Sequence, residues 1–193
     1  GRKMNRAFAR DPDPPAAVGG SPLLSPKAVS VRFRPLYGVH PYVRVVKGPH
    51  FGLLDEDSRE RLLNGPYRVL PQSDRMGYRL DGPVLSLAVQ REMVSEAVTF
   101  GTVQLPPGGR PIVLMADHAT TGGYPNIAQV IAVDLPLVAQ VPAGAELRFR
   151  EVTLAEAQDL LLARERELRQ LKAMMALELR AWREWQEPKP DES

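Results

Sequence analysis

The chain contains no cysteine, which excludes disulfides and thiolate-bound metals and fits a reducing cytoplasm. Neither sign of charge dominates: the formal net charge is +2 over 193 residues. No dense Lys/Arg stripe of the kind nucleic-acid binding needs is present, so no nucleic-acid partner is expected. No apolar run approaches the ~18 residues of a membrane-spanning helix, and the N-terminus has no apolar signal-peptide core. Three histidines lie scattered without ligand spacing, so no metal site is expected. Gly-x-Ser-x-Gly and Gly-x-x-x-x-Gly-Lys-[Ser/Thr] are both missing, which removes the nucleophile elbow and the phosphate loop. Aromatics are only 6%, yet apolar residues reach 44%, enough for a sizeable core in one cytoplasmic domain with appendages.

What the chain does have is punctuation, with 19 prolines and 15 glycines. Short apolar runs between Pro/Gly turns predict a mainly β barrel or sandwich. Residues 1–28 read as a linker, because Asp11-Pro-Asp-Pro-Pro15 holds no helix and buries little. Residues 29–152 form the predicted β domain. Strands are expected at Val29–Phe33, Tyr42–Val46, Tyr67–Leu70, Val84–Val89 and Glu146–Val152, and Ile127–Val133 is either a buried strand or a helix start. The clearest hairpin joins Val98–Leu105 to Pro111–Met115 through Pro106-Pro-Gly-Gly109. Asp55–Leu63 is a short helix with an acidic first turn and an Asn64-Gly65 stop. A second short helix is expected over Asp134–Gln140, with Asp134 as its cap. From Thr153 a capping box opens a helix of good formers to about residue 187, and 188–193 are a tail. Leu154, Leu161, Leu168, Met175 and Trp182 recur every seven residues along it. The first half of this helix is expected on the barrel, and the second half, with Trp182 and Trp185, against a partner or a second copy.

Two polar clusters are candidates for chemistry. In Met115-Ala-Asp-His-Ala-Thr-Thr-Gly-Gly-Tyr-Pro125 an apolar run ends in Asp117 and His118. Thr120, Thr121, Gly122, Gly123 and Tyr124 follow. Gly122 and Gly123 can take positive φ and admit a ligand to the main chain, although an ordinary Gly-Gly hairpin turn has the same composition. The second cluster, Gln72 to Pro83, carries Asp74, Arg75, Tyr78 and Arg79. Its arginine forks match carboxylate or phosphate oxygens, and its aspartates can orient them or act as acid or base. From those residues alone a solvated turn with surface Arg–Asp pairs is the favoured reading. Glu96 is either a site carboxylate or a polar strand start.

Three segments together resemble one family: Ser73-Asp-Arg-Met-Gly-Tyr-Arg-Leu80, Gly101-Thr-Val-Gln-Leu-Pro-Pro-Gly-Gly-Arg-Pro-Ile112, and Asp117 through Thr120-Thr-Gly-Gly-Tyr-Pro125 to Asp134-Leu135. In order and spacing they are similar to the allophanate hydrolase subunit 2 family. It includes the C subunit of ATP-dependent 5-oxoprolinase, a kinase-inhibitor antagonist and the carboxyltransferase region of urea carboxylase. The resemblance covers about residues 29–165 and implies a cyclophilin-like β-barrel. It also implies that the chain is a C-terminal half, with Gly1–Arg10 left from the junction. At His118-Ala119 family members often carry Arg-Gln, and a histidine would bind an anionic substrate only when protonated.

The activity implied is ATP-coupled opening of the 5-oxoproline lactam to glutamate. It takes place in a complex with homologues of the enzyme's A and B subunits, which share or bind the ATP. On that reading Asp74, Glu96, Asp117 and His118 are the catalytic candidates. Arg75, Tyr78, Arg79, Gln104, Thr120, Thr121, Gly122, Gly123 and Tyr124 are the candidates for substrate binding. Two alternatives stand beside it: a biotin-dependent, urea-type carboxyltransferase, and a regulatory module without catalysis that antagonises a kinase inhibitor.

Overall fold

The computed structural model describes residues 41–89 and 93–186. The expected strand at Val29–Phe33 and the expected linker and tail lie outside them. Nine strands and three α-helices are described: β1 (Tyr42–Lys47), α1 (Glu56–Asn64), β2 (Pro66–Val69), β3 (Gly77–Asp81), β4 (Glu96–Ala97), β5 (Thr102–Gln104), β6 (Ile112–Leu114), β7 (Thr121–Gly122), β8 (Asn126–Val130), α2 (Leu135–Ala139), β9 (Glu146–Glu151) and α3 (Leu154–Gln186). Seven strands close into a barrel in the order β1-β8-β5-β6-β3-β2-β9, and β4 and β7 form a separate two-stranded sheet. Closure leaves the barrel no free sheet edge. The mainly β, barrel-plus-long-helix architecture is therefore the one expected from the turn-rich sequence.

Strand alternation builds the interior. Val43 and Val45, Tyr67 and Val69, Leu147 and Phe149 each sit two residues apart and are buried, as the period of a strand requires. Leu80, Val103 and Val113 face the same core. The Tyr67 and Phe149 rings meet tilted at 5.5 Å between centroids, and the Tyr67 hydroxyl donates to the Arg61 carbonyl at 3.1 Å. Burial raises the Tyr67 phenol well above its ordinary pKa. Helix α1 adds Leu62 to this core, beside Leu54. Its N-cap, Asp55, accepts from the Ser58 N–H at 2.7 Å, and hydrogen bonding to the Ser58 side chain and backbone holds the carboxyl below its usual value. The β5–β6 hairpin forms as expected, with Val103 opposite Val113 and Gln104 opposite Ile112. Gly109 closes the turn at φ 70°, where an added Cβ would stand 2.5 Å from the Leu85 carbonyl oxygen.

Four expectations are corrected. Val84–Val89 is not a strand; only Leu87 makes a bridge, to Leu54. Its backbone donors go elsewhere: Leu85 N–H to Gly109 O, Ala88 N–H to Leu53 O, and Ser86 N–H to the Ser58 hydroxyl. The Gln72–Pro83 cluster is not all turn, since its second half is β3, paired with both β2 and β6. Asp134 makes no side-chain cap on α2. Its buried carboxylate instead accepts from the Arg44 backbone N–H at 2.7 Å and from the Arg44 guanidinium, which raises the arginine further. Finally, neither Gly122 nor Gly123 has positive φ, because Thr121-Gly122 is extended and paired with Glu96-Ala97.

Helix α3 opens on the predicted capping box. Thr153 N–H donates to the Glu156 carboxylate at 2.7 Å, and Glu156 N–H donates back to the Thr153 hydroxyl at 3.2 Å. The half-buried residues are Ala157, Leu160, Arg164, Glu167, Leu168, Leu171 and Trp182, the first six following a spacing of three and four. The seven-residue row meets the covered face only in part: Leu168 and Trp182 are half-buried, while Leu154, Leu161 and Met175 are exposed. A straight helix drifts ~20° per heptad, so a strict seven-residue row slides off any one packed stripe.

Candidate functional site

The barrel register separates the sequence's candidates into two groups. On β6, Leu114 pairs with Gly77 at one end, while Ile112 pairs with Gln104 at the other. Asp74, Arg75 and Asp117 gather at the Gly77 end. Arg75 and Asp117 form a forked ion pair, Nε to Oδ2 at 2.8 Å and Nη2 to Oδ1 at 3.2 Å. Backbone bonds run beside it, from Asp117 N–H to Arg75 O and from Met115 N–H to Met76 O. Asp74 Oδ1 accepts from the Met76 and Gly77 N–H groups at 2.8 and 3.2 Å, closing an Asx turn into β3. The Ser73 hydroxyl bonds Arg79 N–H at 3.0 Å, and the Tyr78 hydroxyl donates to Ala139 O at 3.2 Å. Arg79 is exposed. His118 Nδ1 lies 2.6 Å from the Ala119 carbonyl oxygen, so that nitrogen carries the proton. Most polar atoms of this group thus hold their own loops.

The second group lies under the small β4–β7 sheet. Val103 faces the core, so its neighbour Gln104 points out of the barrel, yet it is only 5% exposed. The cause is Gly122, which crosses directly over it; an added Cβ there would stand 2.4 Å from Gln104 Nε2. Under this flap Gln104 Nε2 donates to Asn126 Oδ1 at 3.1 Å and reaches the Tyr124 carbonyl at 3.4 Å. The Asn126 N–H donates to His50 Nδ1 at 3.0 Å. His50 Nε2 then lies 3.8 Å from the Glu96 carboxylate, and Glu96 pairs with Gly122 in the flap. Thr121 pairs with Ala97, and the Thr120 carbonyl accepts from Val98 N–H at 3.1 Å.

Beside the flap opens a cleft of about 640 Å³, lined by Val84–Leu87, Met93, Leu105, the Pro106–Gly109 turn and Gly123–Pro125. Of the predicted site residues, Gly123 and Tyr124 reach its wall. Gln104, Glu96 and Gly122 stand next to that wall, and the Arg75–Asp117 pair does not line it. Sequence reasoning passed over His50 and Asn126, which lie 76 positions apart, so no local motif joins them. The one available signal was the Gly48-Pro-His50 break after β1. An added Cβ at Gly48 would stand 2.3 Å from Asn126 O, and this close approach brings His50 to its partner.

A closed barrel with a polar strip beneath a two-stranded flap, bordering a cleft, defines the class, and comparison with known proteins gives the family. The model of the carboxyltransferase domain, subdomains A and B, matches residues 10–151. The chain belongs to that family. It is 50% identical over 118 residues to the 5-oxoprolinase C subunit of Haemophilus influenzae, covering 61% of this chain and 38% of the relative. To the 5-oxoprolinase C subunit of Escherichia coli it is 42% identical over 115 residues, 60% of this chain and 37% of the relative. The chain therefore spans less than two fifths of either relative's length. Among solved structures, the urea amidolyase of K. lactis superimposes with a TM-score of 0.62 at 23% identity, over 66% of this chain and 8% of that one. That likeness carries the fold alone.

Proposed function

We propose that this chain supplies the C-terminal barrel of a homologue of the 5-oxoprolinase C subunit, within a hydrolase complex that opens the 5-oxoproline lactam to glutamate in the cytoplasm. The observation that carries this reading is the 42–50% identity to two proteins of that name, well above the identity to the urea amidolyase. ATP is bound by or shared with the partner A and B subunits, since the chain has no phosphate loop of its own. The isolated chain is inactive on this reading, because it corresponds to under two fifths of its relatives. Amide opening needs donors at a developing oxyanion and a positioned proton-transfer group, and the polar strip under the flap offers such groups beside the cleft.

A biotin-dependent carboxyltransferase is the second reading, favoured by the family's description. One experiment separates the two. The matched segment of the Haemophilus influenzae C subunit is replaced by that of this chain, co-expressed with its A and B partners, and assayed for ATP-dependent glutamate release. Retained release supports the proposal. An assembled, folded chimera that releases no glutamate contradicts it, and carboxyl transfer from carboxybiotin by that chimera would establish the second reading.

A further inference from the structure

The pairing of His50 with Glu96 has no structural partner to explain it. Asn126 N–H donates to His50 Nδ1 at 3.0 Å, so the lone pair at Nδ1 is used and the ring proton sits on Nε2. That Nε2–H faces the Glu96 carboxylate at 3.8 Å, too far for a direct hydrogen bond. Among the described residues neither atom has another hydrogen-bond partner. A donor held by the β8 backbone thus stands 3.8 Å from a carboxylate acceptor, with a gap that one small group can bridge.

The two residues are held differently. His50 is only 15% exposed in its side chain and is anchored by the backbone of β8. The Glu96 backbone is placed by its ladder pairing to Gly122, while its side chain is 48% exposed. Gly122 is in turn seated on the buried Gln104, whose amide holds Asn126. Gly123, the next residue of the flap, forms part of the cleft wall.

A side-by-side donor and acceptor matches the edge of a cis amide. In a lactam the ring forces C=O and N–H to the same side, so the carbonyl can accept from His50 Nε2–H while the N–H donates to Glu96. An open-chain trans amide presents these groups on opposite sides and cannot satisfy both. We infer that the His50–Glu96 pair reads the cis-amide edge of the substrate, placing the lactam carbonyl against the imidazole. This rests on the 5-oxoprolinase reading above, and a cyclic ureido group presents the same edge.

The test uses the full chain labelled with 15N-histidine, whose three histidines give one Nδ1 and one Nε2 signal each. The probes are 5-oxoproline, 2-pyrrolidinone, N-methyl-2-pyrrolidinone and 2-imidazolidone. Expected is a saturable shift at the His50 Nε2 signal with both N–H lactams. Binding should weaken about tenfold with the N-methyl compound, and about tenfold in Glu96→Ala, while the His118 signal of that variant stays in place and reports an intact fold. Equal binding of the N-methyl compound, or unchanged binding in Glu96→Ala, overturns the inference. Saturation by 2-imidazolidone but not by either lactam overturns the lactam assignment in favour of a ureido ligand. An active chimera whose His50→Phe variant keeps its kcat/KM sinks this inference and leaves the proposed function standing.

Discussion

Arg75 and Asp117 form a forked ion pair at one end of the barrel wall, with the arginine side chain 83% exposed. Gln104 and Asn126, at the other end of the same wall, are buried and joined by one neutral hydrogen bond. Charge density alone favours the first pair as the site. Burial favours the second, because a polar group withdrawn from water is costly unless satisfied, while a solvated ion pair adds little. Polar groups kept under a flap beside a cleft are therefore the stronger indication of chemistry. The exposed pair is accounted for by the loops it ties together.

Substitutions can break or sharpen this contrast. The largest expected effect is at Gly48, where an alanine Cβ would stand 2.3 Å from Asn126 O and 2.9 Å from Ala128 N, both backbone atoms. Gly48→Ala should cost about 1–3 kcal/mol in denaturant unfolding and detach His50 from β8. A variant of wild-type stability would show that the close approach is not needed. Gln104→Leu leaves Asn126 Oδ1 buried without its donor and should cost about 1–2 kcal/mol, with faster hydrogen exchange across β4 and β7 as the second readout. Arg75→Ala, by contrast, should change stability by less than ~1 kcal/mol; a loss as large as that of Gln104→Leu would erase the distinction drawn here.

The smallest effect concerns pH. Hydrogen bonds from Thr153 hold Glu156 below its ordinary carboxyl pKa of 4.5. A depressed folded pKa means that the capping contribution is fully present above the unfolded value and is lost as pH falls through the folded one. Helicity by circular dichroism should thus decline slightly more in the wild type than in Glu156→Gln on acidification below pH 4.5. Identical profiles would remove the capping box from the account of α3.

How much of this was legible depended on where each segment's hydrogen bonds go. The β5–β6 hairpin could be read because Val98–Leu105 and Pro111–Met115 are β-rich arms around a Pro-Pro-Gly-Gly turn, and the α3 start because Thr153 and Glu156 are local partners. Val84–Val89 looks like a strand by composition, but its donors are taken by Gly109, Leu53 and Ser58, a tertiary arrangement that periodicity does not report. Strand β3 was hidden among charged residues, since one of its faces meets solvent. Within the candidate site, Gly122 and Gly123 were singled out for positive φ and access of a ligand to the main chain, and neither has positive φ. Gly122 is required by the Gln104 amide beneath it. His50 was invisible because its partner Asn126 lies 76 positions away.

The most direct test of the central claim is a pair of kcat/KM measurements in the 5-oxoprolinase complex carrying the chimera, His50→Phe against Arg75→Ala, with ATP-dependent glutamate release as the assay. Loss of the Nε2–H donor should lower kcat/KM by about tenfold or more, whereas Arg75→Ala should stay within about twofold of wild type. A larger loss at Arg75 than at His50 would contradict the account and return the site to the other end of the barrel.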